Sequence, residues 1–241
     1  MTNPFATRFT RPGVLASRDA GGEPVDVDGM LRRFDGLGGA AVIVGPHGSG
    51  KSTLLAHLAA AIERRGGPVA RHRVRGWRDV PPLWGTLWRT PPGGVLCVDS
   101  WECLRPPARV LVRLAARLRG CRLLVTAHQP VGVPVLARCR PSLPLLHALV
   151  AELLGRAEAC GGAEAVERAA IGPADIAAAF RNHGGDLRES LYELYDRFEA
   201  SGHGPGVGGP VLTGMTIVPA AGGKFTNTTP VFLPQAHQTA S

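Results

Sequence analysis

An eight-residue segment, Gly45 to Ser52, constrains the fold of this chain more than any other part of the sequence. It reads G-P-H-G-S-G-K-S, and its glycines allow a tight loop with backbone amides exposed on the inner side. The apolar run 40–44 before it predicts a buried strand, and residues 51–65 after it predict a helix with an apolar face. A strand, a loop and a helix in succession are the repeating unit of an α/β fold with a parallel sheet.

The spacing of this segment, G-x-x-x-x-G-K-[ST], is that of a phosphate-binding loop. Backbone N–H groups and the positive end of the following helix would surround phosphate oxygens. Lys51 would reach the β- and γ-phosphates, and the Ser52 hydroxyl would hold Mg²⁺. The ligands expected here are ATP and Mg²⁺. The predicted cofactor-binding residues are consecutive: Gly45, Pro46, His47, Gly48, Ser49, Gly50, Lys51, Ser52 and Thr53.

The rest of the first two thirds of the chain alternates between strand-like and helix-like runs, which predicts a parallel sheet covered by helices on both faces. Further strands are predicted at 68–74, 95–99, 121–126 and 133–138, and further helices at 109–119 and 144–154. The helix 109–119 carries one apolar face, made of Val110, Leu111, Leu114 and Leu118.

A connecting segment with one short helix is expected at 76–94, where Trp77, Trp84 and Trp88 occur among several prolines. The favoured interpretation is that these side chains cover the edge of the sheet. The alternative is a surface for a partner or for stacking bases.

Four regions are expected along the chain. Residues 1–29 look like a loose N-terminal arm, and residues 30–154 like the nucleotide-binding core. Only helices are predicted between 155 and 200, at 163–170, 173–181 and 187–200, and they would form a small C-terminal lid. Residues 201–241 are rich in Gly and Pro and contain no Asp or Glu, which predicts a flexible tail.

Polar side chains at strand ends and at the start of the last helix are the candidates for chemistry. Asp99 ends an apolar strand and would bind Mg²⁺ together with Ser52. Glu102 is the nearest carboxylate that could orient the attacking water, and Thr126 at the tip of another strand could contact the γ-phosphate or this water. Arg188 follows Asp186, a natural N-cap, and could reach back to the phosphates. The predicted catalytic residues are therefore Glu102, Thr126 and Arg188.

The order of these features resembles that of AAA+-type ATPases, within the broader class of P-loop NTPases. The loop at Gly45 to Ser52 matches Walker A, and the strand ending in Asp99 matches Walker B. The resemblance, which covers about residues 30–200, implies the sensor 1 position for Thr126 and the sensor 2 position for Arg188. It also implies a helical lid that moves with the nucleotide state. Two features depart from the family: Ser100 stands where a catalytic Glu is usual, and no clear arginine finger is found.

Three functions remain open on the sequence. The first is Mg²⁺-dependent ATP hydrolysis that drives a conformational switch toward an unknown protein partner. The second is a small-molecule kinase, with Arg71, Arg73 and Arg75 binding an anionic substrate. The third is a nucleotide-sensing scaffold that does not hydrolyse ATP.

Composition bears on partners and location. The net charge of +8 permits contact with nucleic acid, although no run of five basic residues occurs, and a homo-oligomer is compatible with the resemblance. Five cysteines without a C-x-x-C pair indicate a reducing compartment. With no apolar run of eighteen residues, we expect a cytoplasmic protein that makes no membrane contact.

Overall fold

A computed structural model describes residues 3–162, 166–167 and 170–202. They form an α/β fold around a five-stranded, all-parallel sheet with strand order β2-β3-β4-β1-β5. The strands are β1 (Ala40–Val44), β2 (Val69–Arg73), β3 (Val95–Asp99), β4 (Arg122–Ala127) and β5 (Val135–Arg138). The α-helices are α1 (Thr7–Thr10), α2 (Val27–Gly36), α3 (Lys51–Arg64), α4 (Val80–Arg89), α5 (Pro106–Leu118), α6 (Leu143–Ala157), α7 (Pro173–Asn182) and α8 (Leu187–Gly202).

Both faces of the sheet are buried, so each central strand is apolar on successive residues. In β1, Val42 and Val44 point to the layer that contains α4 and α5, while Ala41 and Ile43 point to the layer that contains α2 and α3. A third cluster joins α6, α7 and α8. The α/β class and the parallel sheet predicted from the sequence are confirmed, and all five predicted strands are present.

The strand order places β4 between β1 and β3. The loop after β1, the end of β3 and the end of β4 therefore meet at the carboxyl edge of one parallel sheet. Ligands of open α/β sheets bind in the crevice outside this edge. The topology thus brings Gly45, Asp99 and Thr126, which are far apart in sequence, to one place.

The N-terminal segment is packed, so the prediction of a loose arm is wrong for the described residues 3–29. Phe5 and Leu15 are buried in the cluster formed with the last helices, and the Phe5 ring meets the Phe198 ring edge to face at 6.1 Å. Arg18 forms an ion pair with Glu152 of α6 at 3.3 Å. The segment is held in place by these few separate contacts. Because they follow no periodic pattern, the packing of the segment cannot be predicted from the sequence.

Trp84 is partly buried and packs against the core cluster on the α4 and α5 side of the sheet, but the expectation that tryptophans cover the sheet edge fails for the other two. Trp77 and Trp88 are mostly exposed and do not cover the sheet edge; their rings are stacked by the guanidinium groups of Arg78 and Arg119. On α5 it is Val112 and Ala116 that are buried. The four residues of its predicted apolar face are exposed.

The C-terminal predictions are tested only in part. The helices predicted at 173–181 and 187–200 are present as α7 and α8. Most of the helix predicted at 163–170 and nearly all of the predicted tail lie outside the described residues.

Candidate functional site

The loop from Gly45 to Ser52 joins β1 to α3 and adopts a conformation that depends on glycine. Gly48 and Gly50 have φ angles of 68° and 86°, in the left-handed region where a side chain causes strain. Gly50 is the N-cap of α3, so no side chain caps the first amides of this helix, and its first turn has no acidic residue. The amide N–H groups at the start of α3 are therefore free to donate hydrogen bonds to a bound anion.

Lys51 is the charged centre of this loop. Its side chain is nearly buried, at 8% exposure, and its Nζ donates a hydrogen bond to the Pro46 carbonyl oxygen. Burial lowers the pKa of Lys51, and the positive charge of Arg188 lowers it further, while Glu102 and Asp99 oppose this shift. The ammonium group thus lacks solvation that an anionic ligand would restore.

A chain of hydrogen bonds links the loop to the ends of β3 and β4. The Ser52 hydroxyl donates to Asp99 Oδ1 at 2.9 Å, and the Thr126 hydroxyl donates to the same oxygen at 2.7 Å. The Thr126 oxygen in turn accepts from the Ser100 amide at 2.9 Å. A hydroxyl and a carboxylate supply oxygen ligands, and Mg²⁺ is usually held by one or two carboxylates together with substrate phosphates. Ser52 and Asp99, the two residues predicted as metal ligands, are therefore suited to Mg²⁺.

The chain reverses sharply after Asp99 and carries Glu102 into the site. Ser100 adopts a left-handed conformation, with φ 63° and ψ 51°, and a 3₁₀ turn, Trp101–Cys103, follows. The turn is anchored by the buried Trp101 ring and by Arg109, which donates to the Glu102 carbonyl oxygen. The reversal is made by Ser100 itself, the residue that stands where the ATPases that the sequence resembles usually have a catalytic Glu.

Only one of the two carboxylate oxygens of Glu102 has a polar partner among the described residues. Its Oε1 lies 3.3 Å from Nε2 of His128, whereas its Oε2 is buried and has no hydrogen-bond partner among the described residues. The His47 ring stands edge to face with the His128 ring, with centroids 6.1 Å apart. An unpaired buried acceptor is costly, and a bound water or substrate group would satisfy it.

Arg188 approaches the loop from the last helix. Asp186 caps α8 as predicted, because its Oδ1 accepts hydrogen bonds from the Arg188 and Glu189 amides at 2.9 and 3.2 Å. The same carboxylate lies against Gly48, where any side chain would overlap it. The start of α8 is thus in direct contact with the loop.

One cavity of about 330 Å³ gathers most of these groups, a volume typical of a small-molecule site. Of the predicted site residues, it is lined by His47, Gly48, Ser49, Gly50, Lys51, Ser52, Thr53, Asp99, Glu102, Thr126 and Arg188. Gly45 and Pro46 form the base of the loop outside this lining. The remaining walls come from the N-terminal segment, including Arg11 and Arg18, and from Leu191 and Tyr192 of α8. The N-terminal contribution could not be predicted, since that segment has no recognisable sequence motif.

The three arginines of the kinase hypothesis have separate environments. Arg71 forms a two-pronged ion pair with Glu63, at 2.5 and 2.7 Å. Arg73 lines the cavity, and its Nε lies 3.5 Å from Asp99 Oδ2 because β2 pairs with β3 at this register. Arg75 is not among the lining residues of this cavity. Of the three arginines, Arg73 is the one positioned to meet a ligand there.

Comparison with known proteins does not assign the chain to a family: no family model and no curated protein matches it. Among the described residues, no helix has the length and apolar character needed to cross a membrane. The same part of the chain holds no cluster of three or more His, Cys, Asp or Glu side chains arranged for a metal ion. The function is therefore inferred from the loop and the side chains around it.

Proposed function

We propose that this protein is a P-loop NTPase that binds Mg²⁺-ATP in the cavity at the carboxyl edge of the sheet and hydrolyses it. One observation carries the proposal. The loop residue Ser52 is hydrogen-bonded at 2.9 Å to Asp99, at the end of another strand, and both residues line the cavity that also contains the nearly buried Lys51. A hydroxyl, a carboxylate and a desolvated cation next to an uncapped helix N-terminus are the groups that a magnesium-bound polyphosphate requires.

The roles follow from the chemistry of each group. The amides of residues 48–52 and the Lys51 ammonium would hold the β- and γ-phosphates. Lys51 would exchange its bond to the Pro46 carbonyl for bonds to phosphate, which are stronger because both partners are charged. Ser52 and Asp99 would hold Mg²⁺, which would neutralise negative charge on the phosphate oxygens.

Glu102 is the proposed general base. Its unpartnered Oε2 would accept a hydrogen bond from water and then its proton, as the water oxygen bonds to the γ-phosphorus and the bond to ADP breaks. His128, on the other oxygen, would keep the carboxylate in position. Thr126 donates a hydrogen bond to Asp99, so a shift of Asp99 on nucleotide binding would be transmitted to β4.

Arg188 is proposed to neutralise charge on the terminal phosphate from the last helix. It lines the cavity and already acts electrostatically on Lys51. Because Asp186 contacts Gly48, a change in the loop on nucleotide binding would be felt at the start of α8. This supports a conformational switch toward a protein partner, in the manner of the AAA+-type ATPases that the sequence resembles.

Steady-state ATP turnover with three proteins tests the proposal. The wild-type protein should hydrolyse ATP only when Mg²⁺ is present. Glu102→Gln should retain nucleotide binding and lose about 100-fold or more in kcat, the usual effect of removing a general base. Lys51→Ala should lose turnover as well and should also bind ATP about 10- to 100-fold more weakly. Arg71→Ala, which removes the ion pair with Glu63 outside the cavity, is the matched control and should hydrolyse ATP at the wild-type rate.

The alternatives predict different results in the same assay. ATP binding without turnover in either wild-type or Glu102→Gln protein would indicate a nucleotide-sensing scaffold. Turnover that requires an added metabolite, and that falls when Arg73 is replaced, would indicate a kinase. Activity that depends on DNA or RNA would favour the nucleic-acid interpretation. A turnover number per molecule of protein that rises with protein concentration would favour a homo-oligomer.

A further inference from the structure

Helix α5 turns an apolar face away from the molecule. Val112 and Ala116 pack on the sheet, while the α5 face, defined as Val110, Leu111, Leu114 and Leu118, is 52% to 78% exposed. Contiguous apolar surface on the outside of a protein marks a site of interaction. These residues occur at helical spacing, so they form one strip along the helix axis.

A groove of about 530 Å³ runs beside this strip. Val110 and Leu114 of α5 line one side, and Gly38 and Gly39, just before β1, line the other. No atom lies within 4 Å of the positions that side chains on these two glycines would occupy, so the groove is open there. It lies at the amino ends of β1 and β4, on the opposite edge of the sheet from Lys51, and is separate from the nucleotide site.

The charged residues that line the groove are all arginine. Residues 103–127 contain six Arg and no Asp, Glu or Lys. Arg113, Arg117 and Arg122 line the groove; Arg122 is paired with Asp35 and Arg113 donates to the Gly132 carbonyl oxygen. For Arg117, no ion pair is found among the described residues. A second copy of this chain would set these arginines against one another, which is unfavourable.

We propose that the α5 face and its groove bind an amphipathic helix of another protein, with apolar residues on one side and acidic residues flanking them. Apolar anchors would contact Leu111, Leu114 and Leu118, and carboxylates would pair with Arg113 and Arg117, as in other helix-in-groove interactions. A nucleic acid would gain little from four aliphatic side chains, and a membrane surface would not fill a concave groove. Residues 203–241 of this chain contain no Asp or Glu, so they lack the complementary charge.

A peptide-display selection tests the proposal. A library of random helical peptides would be selected for binding to the full-length wild-type protein, and the enriched peptides measured by fluorescence anisotropy. We expect them to combine apolar residues at helical spacing with flanking Asp or Glu. Their affinity should fall at least about 10-fold for Leu114→Ser/Leu118→Ser and, independently, for Arg113→Glu/Arg117→Glu, the tenfold step corresponding to about 1.4 kcal/mol.

Matched controls separate the surface from general stickiness and general charge. Trp77→Ser removes an equally exposed apolar side chain elsewhere, and Arg64→Glu reverses an exposed charge on α3; both should bind the peptides as the wild type does. Thermal melts should show that the two leucine substitutions, made at exposed positions, leave the fold intact.

Several results would overturn the proposal. One is the absence of enriched peptides, and another is enrichment of basic peptides or of peptides that bind both double variants unchanged. Light scattering that shows a dimer for the wild type and a monomer for the leucine variant would assign the face to a second copy. Binding to phosphatidylserine vesicles that this variant loses would assign it to a membrane. Peptide binding that requires deletion of 203–241 would assign it to the chain's own C-terminal segment.

Discussion

At the scale of single residues, Lys51 concentrates the electrostatics of the candidate site. The residue is buried and feels a second cation, Arg188, while the carboxylates of Glu102 and Asp99 and the Cys139 side chain favour its charged form. Such a lysine favours binding of an anion, since a phosphate would stabilise the charged form of the amine that burial disfavours. The state of this one amine should therefore control nucleotide affinity.

The pH dependence of binding checks this role. Burial puts the pKa of free Lys51 below the ordinary 10.5, and bound phosphate would raise it again. Between those two pKa values, binding takes up a proton, so nucleotide affinity should fall as pH rises. Titrations of an ATP analogue from neutral to strongly alkaline pH would measure this fall, with the onset below 10.5.

Lys51→Ala supplies the control for this titration. Any pH dependence that remains in the variant comes from other groups and can be subtracted. If wild type and variant showed parallel profiles, Lys51 would not be the group that meets the phosphate.

Prediction from sequence succeeds best for residues whose role is local. The loop residues, Asp99 and Asp186 each belong to a short pattern with its own geometry. Residues 47–53 and Asp99 line one cavity, and Asp186 caps α8 in contact with the loop. Arg73 lies at the cavity only because β2 is the neighbour of β3, and Ser100 turns the chain through a left-handed conformation that Ser rarely adopts. Neither the pairing nor the dihedral angle is visible in a linear pattern.

At the scale of elements, one carboxylate at the start of α8, that of Asp186, both caps the helix and contacts the loop at 45–52. Asp186 satisfies two amides of the helix and also contacts Gly48 of the loop. A negative charge at this position stabilises the helix but lies close to where an anionic ligand is proposed to bind. The two effects can be separated by substitution, because Asn caps helices about as well as Asp and carries no charge.

We expect Asp186→Ala to lower the free energy of unfolding by about 1 kcal/mol through loss of the cap. Asp186→Asn should keep nearly the whole stability and bind ATP several-fold more tightly. Chemical denaturation and nucleotide titration of both variants would measure this, with Glu189→Ala in the same helical turn as the control. Equal stability of the Ala and Asn variants would contradict the capping role, and unchanged ATP affinity in the Asn variant would contradict the proximity of this carboxylate to the ligand.

The helices also show where periodicity misleads. The apolar positions of α5 were recognised correctly, but periodicity cannot say which face of a helix meets the sheet when both faces are apolar. The small residues Val112 and Ala116 allow α5 to lie close to the sheet, and the larger leucines are left outside. That arrangement, rather than an error in the helix itself, is what exposes a surface suited to a partner.

At the scale of the whole molecule, one sheet separates the two regions to which we assign a function. The loop at 45–52, Asp99 and Glu102 lie at the carboxyl edge, and the α5 groove lies at the amino edge. The class of fold was predictable because alternating strands and helices dictate a parallel sheet. The strand order, the packed N-terminal segment and the closeness of α8 to the loop depend on long-range contacts, and they complete the cavity.

The central claim is that the loop at 45–52 binds a magnesium-bound nucleoside triphosphate through Lys51. Calorimetric titration of a non-hydrolysable ATP analogue with Mg²⁺ tests it most directly, using wild type, Lys51→Ala and, as a matched control, Lys224→Ala at the chain's other lysine. We predict saturable one-to-one binding to wild type and Lys224→Ala, and affinity about 10- to 100-fold weaker for Lys51→Ala, since a charge-assisted hydrogen bond contributes about 1.5–3 kcal/mol. Equal affinities in all three proteins, or no binding to wild type at millimolar analogue, would contradict the claim.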